Sequence, residues 1–153
     1  MAIQIANKQV EIEILSSWYT VEYVLSRRDS LFIFGDNTKR YGMAGQATIR
    51  KCFNATGIAT KFAPGMGDDD FFSDSKYEEC CDIIMGDIEK IKQRINYTQE
   101  LNKIVFPIDG LGTGLSMLPQ KAPRVWQFLC DRLWSEFGIV TDLIGKLKVI
   151  KKG

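Results

Sequence analysis

The chain has 153 residues, 45% of them hydrophobic and 25% charged, enough to bury the core of a single domain over 1–153 without disulfide or metal staples. Its 20 basic residues against 19 acidic ones leave a net charge of +1, which excludes global attraction to bulk nucleic acid or anionic lipid, so a bound phosphate must be held locally. Histidine is absent and Cys52, Cys80, Cys81 and Cys130 form no C-x-x-C pair, which argues against zinc and leaves proton transfer to carboxylate, lysine, substrate or water.

Residues 2–15 alternate apolar and polar, most clearly from Val10 to Ile14, which predicts one or two strands near a sheet edge with a turn at Asn7-Lys8. The early charges fit no signal peptide, and no run of about 18 apolar residues is present for a membrane span, so a reducing cytosol is expected. Trp18, Val21, Val24 and Leu25 recur at helical spacing between Ser17 and Arg28, with Ser16 or Ser17 as N-cap. Leu31 to Phe34 is a short apolar run closed by Gly35, the pattern of a central strand that opens onto Asp36-Asn37. A helix is expected over Ala44–Phe53, then a strand over Gly57–Lys61 stopped by Pro64-Gly65.

The acidic stretch from Met66 to Asp74 reads as irregular, and Ser75-Lys76-Tyr77-Glu78 matches a capping box for a long helix. Its apolar stripe is Tyr77, Cys81, Ile84, Ile88, Ile91 and Ile95. Lys103–Ile108 supplies another strand. The glycine-rich loop after it leads to a helix with Pro123 in its first turn, Gly138 at C′, and Ala122, Val125, Trp126, Leu129, Leu133 and Phe137 on its buried face. Ile139–Thr141 and Leu147–Ile150 are expected to complete the sheet. Strands alternating with helices predict a three-layer α/β fold, a mixed, largely parallel sheet between helices.

In open α/β sheets ligands bind beyond the carboxyl ends of the strands, where three segments of this chain fall. Gly35 to Ala47 and Gly110 to Leu115 both run strand, glycine loop, helix, and small residues let backbone N–H groups approach an anion. Two such nests facing each other suit a diphosphate. Lys61 ends the third segment. Each feature alone also has a plainer reading: glycines for tight turns, Lys61 as a solvated strand end, Asp36 as a turn cap, Cys80-Cys81 as core. Asp68-Asp69-Asp70 reads as a solvated loop rather than a cation site, so no metal is expected. Phe62, Phe71 and Phe72 flank that loop, and either pack in the core or offer a ring for an adenine to stack on.

The order and spacing of these segments resemble the macrodomain family. Asn37 followed by Gly42-Met43-Ala44-Gly45-Gln46-Ala47 is similar to its asparagine and glycine-rich loop, Gly110-Leu111-Gly112-Thr113-Gly114-Leu115-Ser116-Met117-Leu118-Pro119 to its second loop, and Thr60-Lys61 to the Thr-Lys of the compact branch that removes ADP-ribose from protein carboxylates or DNA bases. The resemblance spans roughly Leu31 to Phe137. It implies a macrodomain-like fold, ADP-ribose or an ADP-ribosylated substrate as the partner, and no cofactor. By it, Asn37 bonds the distal ribose, Gly42, Met43, Ala44, Gly45 and Gln46 line that sugar, and Gly112, Thr113, Gly114 and Leu115 bind the diphosphate through main-chain N–H groups. Lys61 acts at the anomeric carbon, completing a catalytic pair with Asn37. Asp36, Gly110, Asp109 and Ser116 border the site; Ser116 stands where deacylating members place an acid, and Asp109 is the nearby carboxylate. The leading expectation is an ADP-ribosyl glycohydrolase, followed by an ADP-ribose 1″-phosphate phosphatase and a non-catalytic ADP-ribose reader. A Rossmann-type binder is disfavoured because no complete G-x-G-x-x-G follows the first strand.

Overall fold

The computed structural model describes residues 1–150; residues 151–153 of the expected domain lie outside the described residues. The N-terminal alternation becomes strands β1 (Ala2–Ile5) and β2 (Lys8–Leu15), joined by a turn at residues 6–7. Then follow α1 (Val21–Ser26), β3 (Ser30–Asn37), β4 (Ala55–Lys61), α2 (Tyr77–Tyr97), β5 (Lys103–Pro107), α3 (Leu118–Lys121), α4 (Pro123–Phe137), β6 (Ile139–Thr141) and β7 (Leu147–Val149). The central sheet has the order β1-β2-β5-β3-β4. The β2–β5, β5–β3 and β3–β4 pairs are parallel and only β1 is antiparallel to its neighbour.

Successive side chains of a strand face opposite sides of the sheet, and β3 and β5 use both sides. Leu31, Ile33, Ile104 and Phe106 join the larger core with Ile84, Ile88 and Ile91 of α2 and Val125, Leu129 and Leu133 of α4. Phe32, Phe34 and Val105 face the other way, onto Tyr19, Val24 of α1, Ala47 and Ile49. Each fully buried Leu, Ile or Phe contributes about 1.5–3 kcal/mol, so both layers depend on this apolar strand pair. The chain is therefore an α/β protein with a mixed, mostly parallel sheet and helical segments on both faces, an arrangement compatible with three layers. Among the described residues no helix is long and apolar enough to cross a membrane.

Several local expectations are corrected. The first helix starts at Val21, not Ser17, because Thr20 is the cap, its hydroxyl accepting from the Tyr23 N–H at 3.2 Å. Only Val24 of that helix is buried, and Trp18 lies ahead of it in solvent. The expected helix over 44–53 is a single 3-10 turn, Gly45–Ile49. The β-branched Thr48 and Ile49 favour it little, and Arg50 is pulled back onto the carbonyls of Tyr41 and Gly42. No capping box forms at Ser75: a 3-10 turn over Asp74–Lys76 precedes α2, and no side chain caps either start. Asp74 instead caps α4 across space, its carboxylate accepting from the N–H groups of Arg124 and Val125 at 3.1 Å. The second loop leads into the four-residue α3 before α4.

The last two strands do not complete the central sheet. β7 packs beside β2, whose two edges are already taken by β1 and β5, and β6 and β7 pair with each other as a separate antiparallel ribbon. Leu147 ties the ribbon back by donating to the Ile108 carbonyl at 2.8 Å. The stripes expected on α2 and α4 are found, Tyr77 and Trp126 packing at the core margin, and Gly138 caps α4 at φ 70°. Lys8 closes the far end of α2, its ammonium donating to the carbonyls of Ile95, Thr98 and Leu101 at 2.8–3.0 Å.

Candidate functional site

The carboxyl ends of adjacent strands β3 and β5 send the chain in opposite directions. From β3 it runs outward to β4; from β5 it runs through α3 and α4 to the ribbon, where β7 packs beside β2. Such a divergence opens a crevice, and here it holds a cleft of about 570 Å³, within the ~300–1,000 Å³ usual for ligand pockets. One wall is Gly35 with Ala44, Gly45 and Gln46; the other is Asp109, Gly110, Gly112, Thr113, Gly114, Leu115 and Ser116.

The loops that line the cleft carry peptide N–H groups beside its polar side chains. Among the described residues those of Gly112, Thr113, Gly114, Leu115 and Ser116 have no protein acceptor, nor do those of Ala44 and Gly45. A run of free N–H groups next to residues of positive φ is a concave anion seat. The helical segments after both loops are too short to add much dipole, so the expected helix-N-terminus contribution falls to these peptides.

Gly112 has φ +80°, and a Cβ there would lie 3.0 Å from the Leu118 Cβ and 3.1 Å from the Thr60 Cβ. Gly112→Ala is expected to lower stability by about 1–2 kcal/mol through the left-handed backbone alone, and more through those contacts. Urea denaturation checks it; an unchanged midpoint would mean that the loop relaxes freely.

Gln46 joins the walls. Its side-chain oxygen accepts from the Gly35 N–H and its amide nitrogen donates to the Gly110 carbonyl, both at 2.9 Å. Below it, the Thr60 hydroxyl sits 2.8 Å from that of Ser116. Asp109 and Lys146 are the charged residues of the lining.

Other expected site residues lie outside the lining. Asp36 is 6% exposed; one carboxylate oxygen is 2.6 Å from Arg50 and the other 3.1 Å from Arg40. Arg40 also holds Asp87 at 2.6 Å, whose second oxygen accepts from the Ala59 N–H. Asn37 closes the 37–41 turn, accepting from the Lys39 N–H and donating to the Tyr41 carbonyl. Arg50 bonds the Gly42 carbonyl at 2.9 Å, and Met43 is half exposed. This cluster fixes the course of the first loop.

Lys61 is buried at the end of β4, its ammonium donating to the Gly65 carbonyl at 2.6 Å and standing 4.4 Å from the Phe71 ring centre. Burial lowers its pKa, with Asp70 opposing the shift. Phe71 and Phe72 are buried and Phe62 packs edge-on against Phe72, so the core, not an adenine, takes these rings. Asp68–Asp70 form a 3-10 turn in which Asp70 accepts from the Gly67 N–H. Among the described residues no group of three or more His, Cys, Asp or Glu is placed to hold a metal ion.

Trp18, Ile144 and Lys146 line the cleft without having been expected there. Helical spacing places Trp18 on a buried face, whereas the cap is Thr20, a weaker N-cap type than the serines at 16 and 17, so residue type does not mark the later start. Ile144 and Lys146 belong to the β6–β7 turn, which nothing local in the sequence directs toward the second loop; the contact depends on Gly110 and Gly145, whose backbones meet with no room for a Cβ at Gly110.

Fold and cleft together define the class: an α/β protein with a peptide-lined crevice at the carboxyl edge of a mostly parallel sheet. The family model described as "Family of unknown function (DUF7831)" matches residues 14–132, from the end of β2 into α4, and the chain belongs to that family. No curated protein and no solved structure matches the chain.

Proposed function

We propose that the chain binds ADP-ribose in this cleft as a macrodomain-like protein and acts as an ADP-ribosyl glycohydrolase on a modified macromolecule. The observation that carries the reading is the run of N–H groups without a protein acceptor from Gly112 to Ser116, on a loop that lines the cleft together with Ala44, Gly45 and Gln46; such a run suits a diphosphate. The distal ribose would lie toward Gly45 and Gln46, and Lys61 would act at the anomeric carbon as nucleophile or electrostatic catalyst once the Gly65 carbonyl releases it. Burial favours its neutral, nucleophilic form. The four cysteines are free, which suits a reducing cytosol.

A second reading, a non-catalytic ADP-ribose reader, is favoured by one observation: the Lys61 ammonium is engaged by Gly65 and lies outside the cleft lining. Calorimetric titration with ADP-ribose, using AMP and NAD as controls, tests what both readings share. Saturable binding at about micromolar Kd, roughly −8 kcal/mol, is expected. Absence of heat at millimolar ligand, or equal binding of AMP, would overturn both.

A further inference from the structure

Trp18 is 81% exposed, an unusual position for the largest apolar side chain. Its backbone is nonetheless fixed. The next residue, Tyr19, is 8% exposed, and its hydroxyl donates to the Ile33 carbonyl of β3 at 2.7 Å and lies 3.3 Å from the Val105 carbonyl of β5. Thr20 then caps α1. The indole is thus presented to solvent from a segment anchored on two central strands.

Trp18 shares the cleft with two other exposed apolar side chains, Leu115 from the second loop and Ile144 from the β6–β7 turn, 68% and 74% exposed. Three separate segments therefore place apolar surface around a cleft also lined by the loop whose Gly112–Ser116 N–H groups have no protein acceptor. Chain order fixes the layout: Trp18 follows β2, the N–H run follows β5, and Gly45–Gln46 follow β3. In the sheet these strands stand side by side as β2, β5, β3. A ligand lying across their ends meets a flat apolar surface, an anion seat and a small-residue wall, in that order.

We propose that Trp18 is a stacking platform for the base of a nucleoside diphosphate, flanked by Leu115 and Ile144, so that the base is held by its face rather than by its edge. This rests on the ADP-ribose reading for the diphosphate seat, and adds that the site tolerates either purine, because every base offers a π-face to an aromatic ring. Of the tryptophans at 18, 126 and 134, only Trp18 lines the cleft.

The experiment titrates ADP-ribose, ADP, GDP and ribose 5-phosphate into wild type, Trp18→Phe and Trp18→Ala, read by calorimetry and tryptophan fluorescence. Trp18→Ala is expected to weaken ADP-ribose binding at least about tenfold, and Trp18→Phe less than about threefold. ADP and GDP should quench wild-type fluorescence with affinities within about threefold of each other, ribose 5-phosphate should not, and Trp18→Phe should abolish the quench. Trp18 is exposed, so unchanged thermal midpoints are expected and confirm that both variants fold. If Trp18→Ala binds ADP-ribose as tightly as wild type, or if GDP fails where ADP binds, the platform is wrong and the ADP-ribose reading stands. If ADP and GDP bind with the quench but ADP-ribose does not, the platform stands and the ADP-ribose reading falls. If none of the nucleotides binds, both fall.

Discussion

Lys61→Ala is expected to slow release of ADP-ribose from a modified substrate by about a hundredfold or more while changing affinity for free ADP-ribose less than about threefold. The split follows from position. Lys61 lies outside the cleft lining and donates to the Gly65 carbonyl, so it adds little to binding of the free ligand. Loss of a group that acts only as the glycosidic bond breaks lowers turnover without weakening ground-state binding. Single-turnover release of labelled ADP-ribose, paired with calorimetry, measures both quantities. Equal turnover of ADP-ribose 1″-phosphate by wild type and variant would assign phosphatase chemistry, and binding without turnover by wild type would assign the reader.

The same lysine sets a pH dependence. Burial holds its pKa below the ordinary 10.5, so the folded chain loses this proton before the unfolded one. The unfolded state therefore binds more protons between the lowered value and 10.5, and stability contributed by this group rises with pH across that window. On the glycohydrolase reading with Lys61 as nucleophile, the neutral amine grows in the same direction and turnover is expected to rise toward an alkaline limb below 10.5 that Lys61→Ala removes, whereas electrostatic catalysis by the ammonium predicts a falling limb.

Asp36→Ala is expected to destabilise the fold by about 3 kcal/mol, a fall of roughly 6–12 °C in thermal midpoint for a chain of this size. The carboxylate is buried between Arg40 and Arg50 and also accepts from the Asn37 N–H at 2.7 Å. Removing it leaves the Arg50 guanidinium, 14% exposed, without a carboxylate partner and Arg40 with Asp87 alone, and breaking a buried pair from one side leaves the partner's desolvation uncompensated. Asp36→Asn keeps an acceptor and should lose less. A midpoint shift below about 2 °C would mean that water replaces the carboxylate. Because Arg40 and Arg50 also fix residues 40–42, any ligand held by Ala44–Gln46 should bind more weakly to the variant.

The central layers were legible because their signals are local and redundant. Leu31–Phe34 and Lys103–Phe106 are apolar runs closed by turn residues, and the stripe from Cys81 to Ile95 repeats at helical spacing. Both glycine loops were found for the same reason. What escaped depends on partners remote in sequence. Asp74 is equally plausible as the start of α2, but only the fold brings it to the open end of α4, some 50 positions on. Asn37 and Asp36 carry side chains that suit a ligand, yet Tyr41, Lys39, Arg40 and Arg50 take up their bonding capacity. The β6–β7 ribbon has strand-like sequence and was assigned to the sheet because composition does not reveal which edges are already filled.

The amide of Gln46 has one orientation that satisfies both partners, since Gly35 offers an N–H and Gly110 a carbonyl. The jaws of the cleft are thus riveted at a separation set by the length of one side chain, and neither swings on its own hinge. Walls already joined by these two bonds have less freedom to lose when a guest docks. Residence time then depends on the guest's own contacts, while the rivet fixes how thick a guest the berth admits.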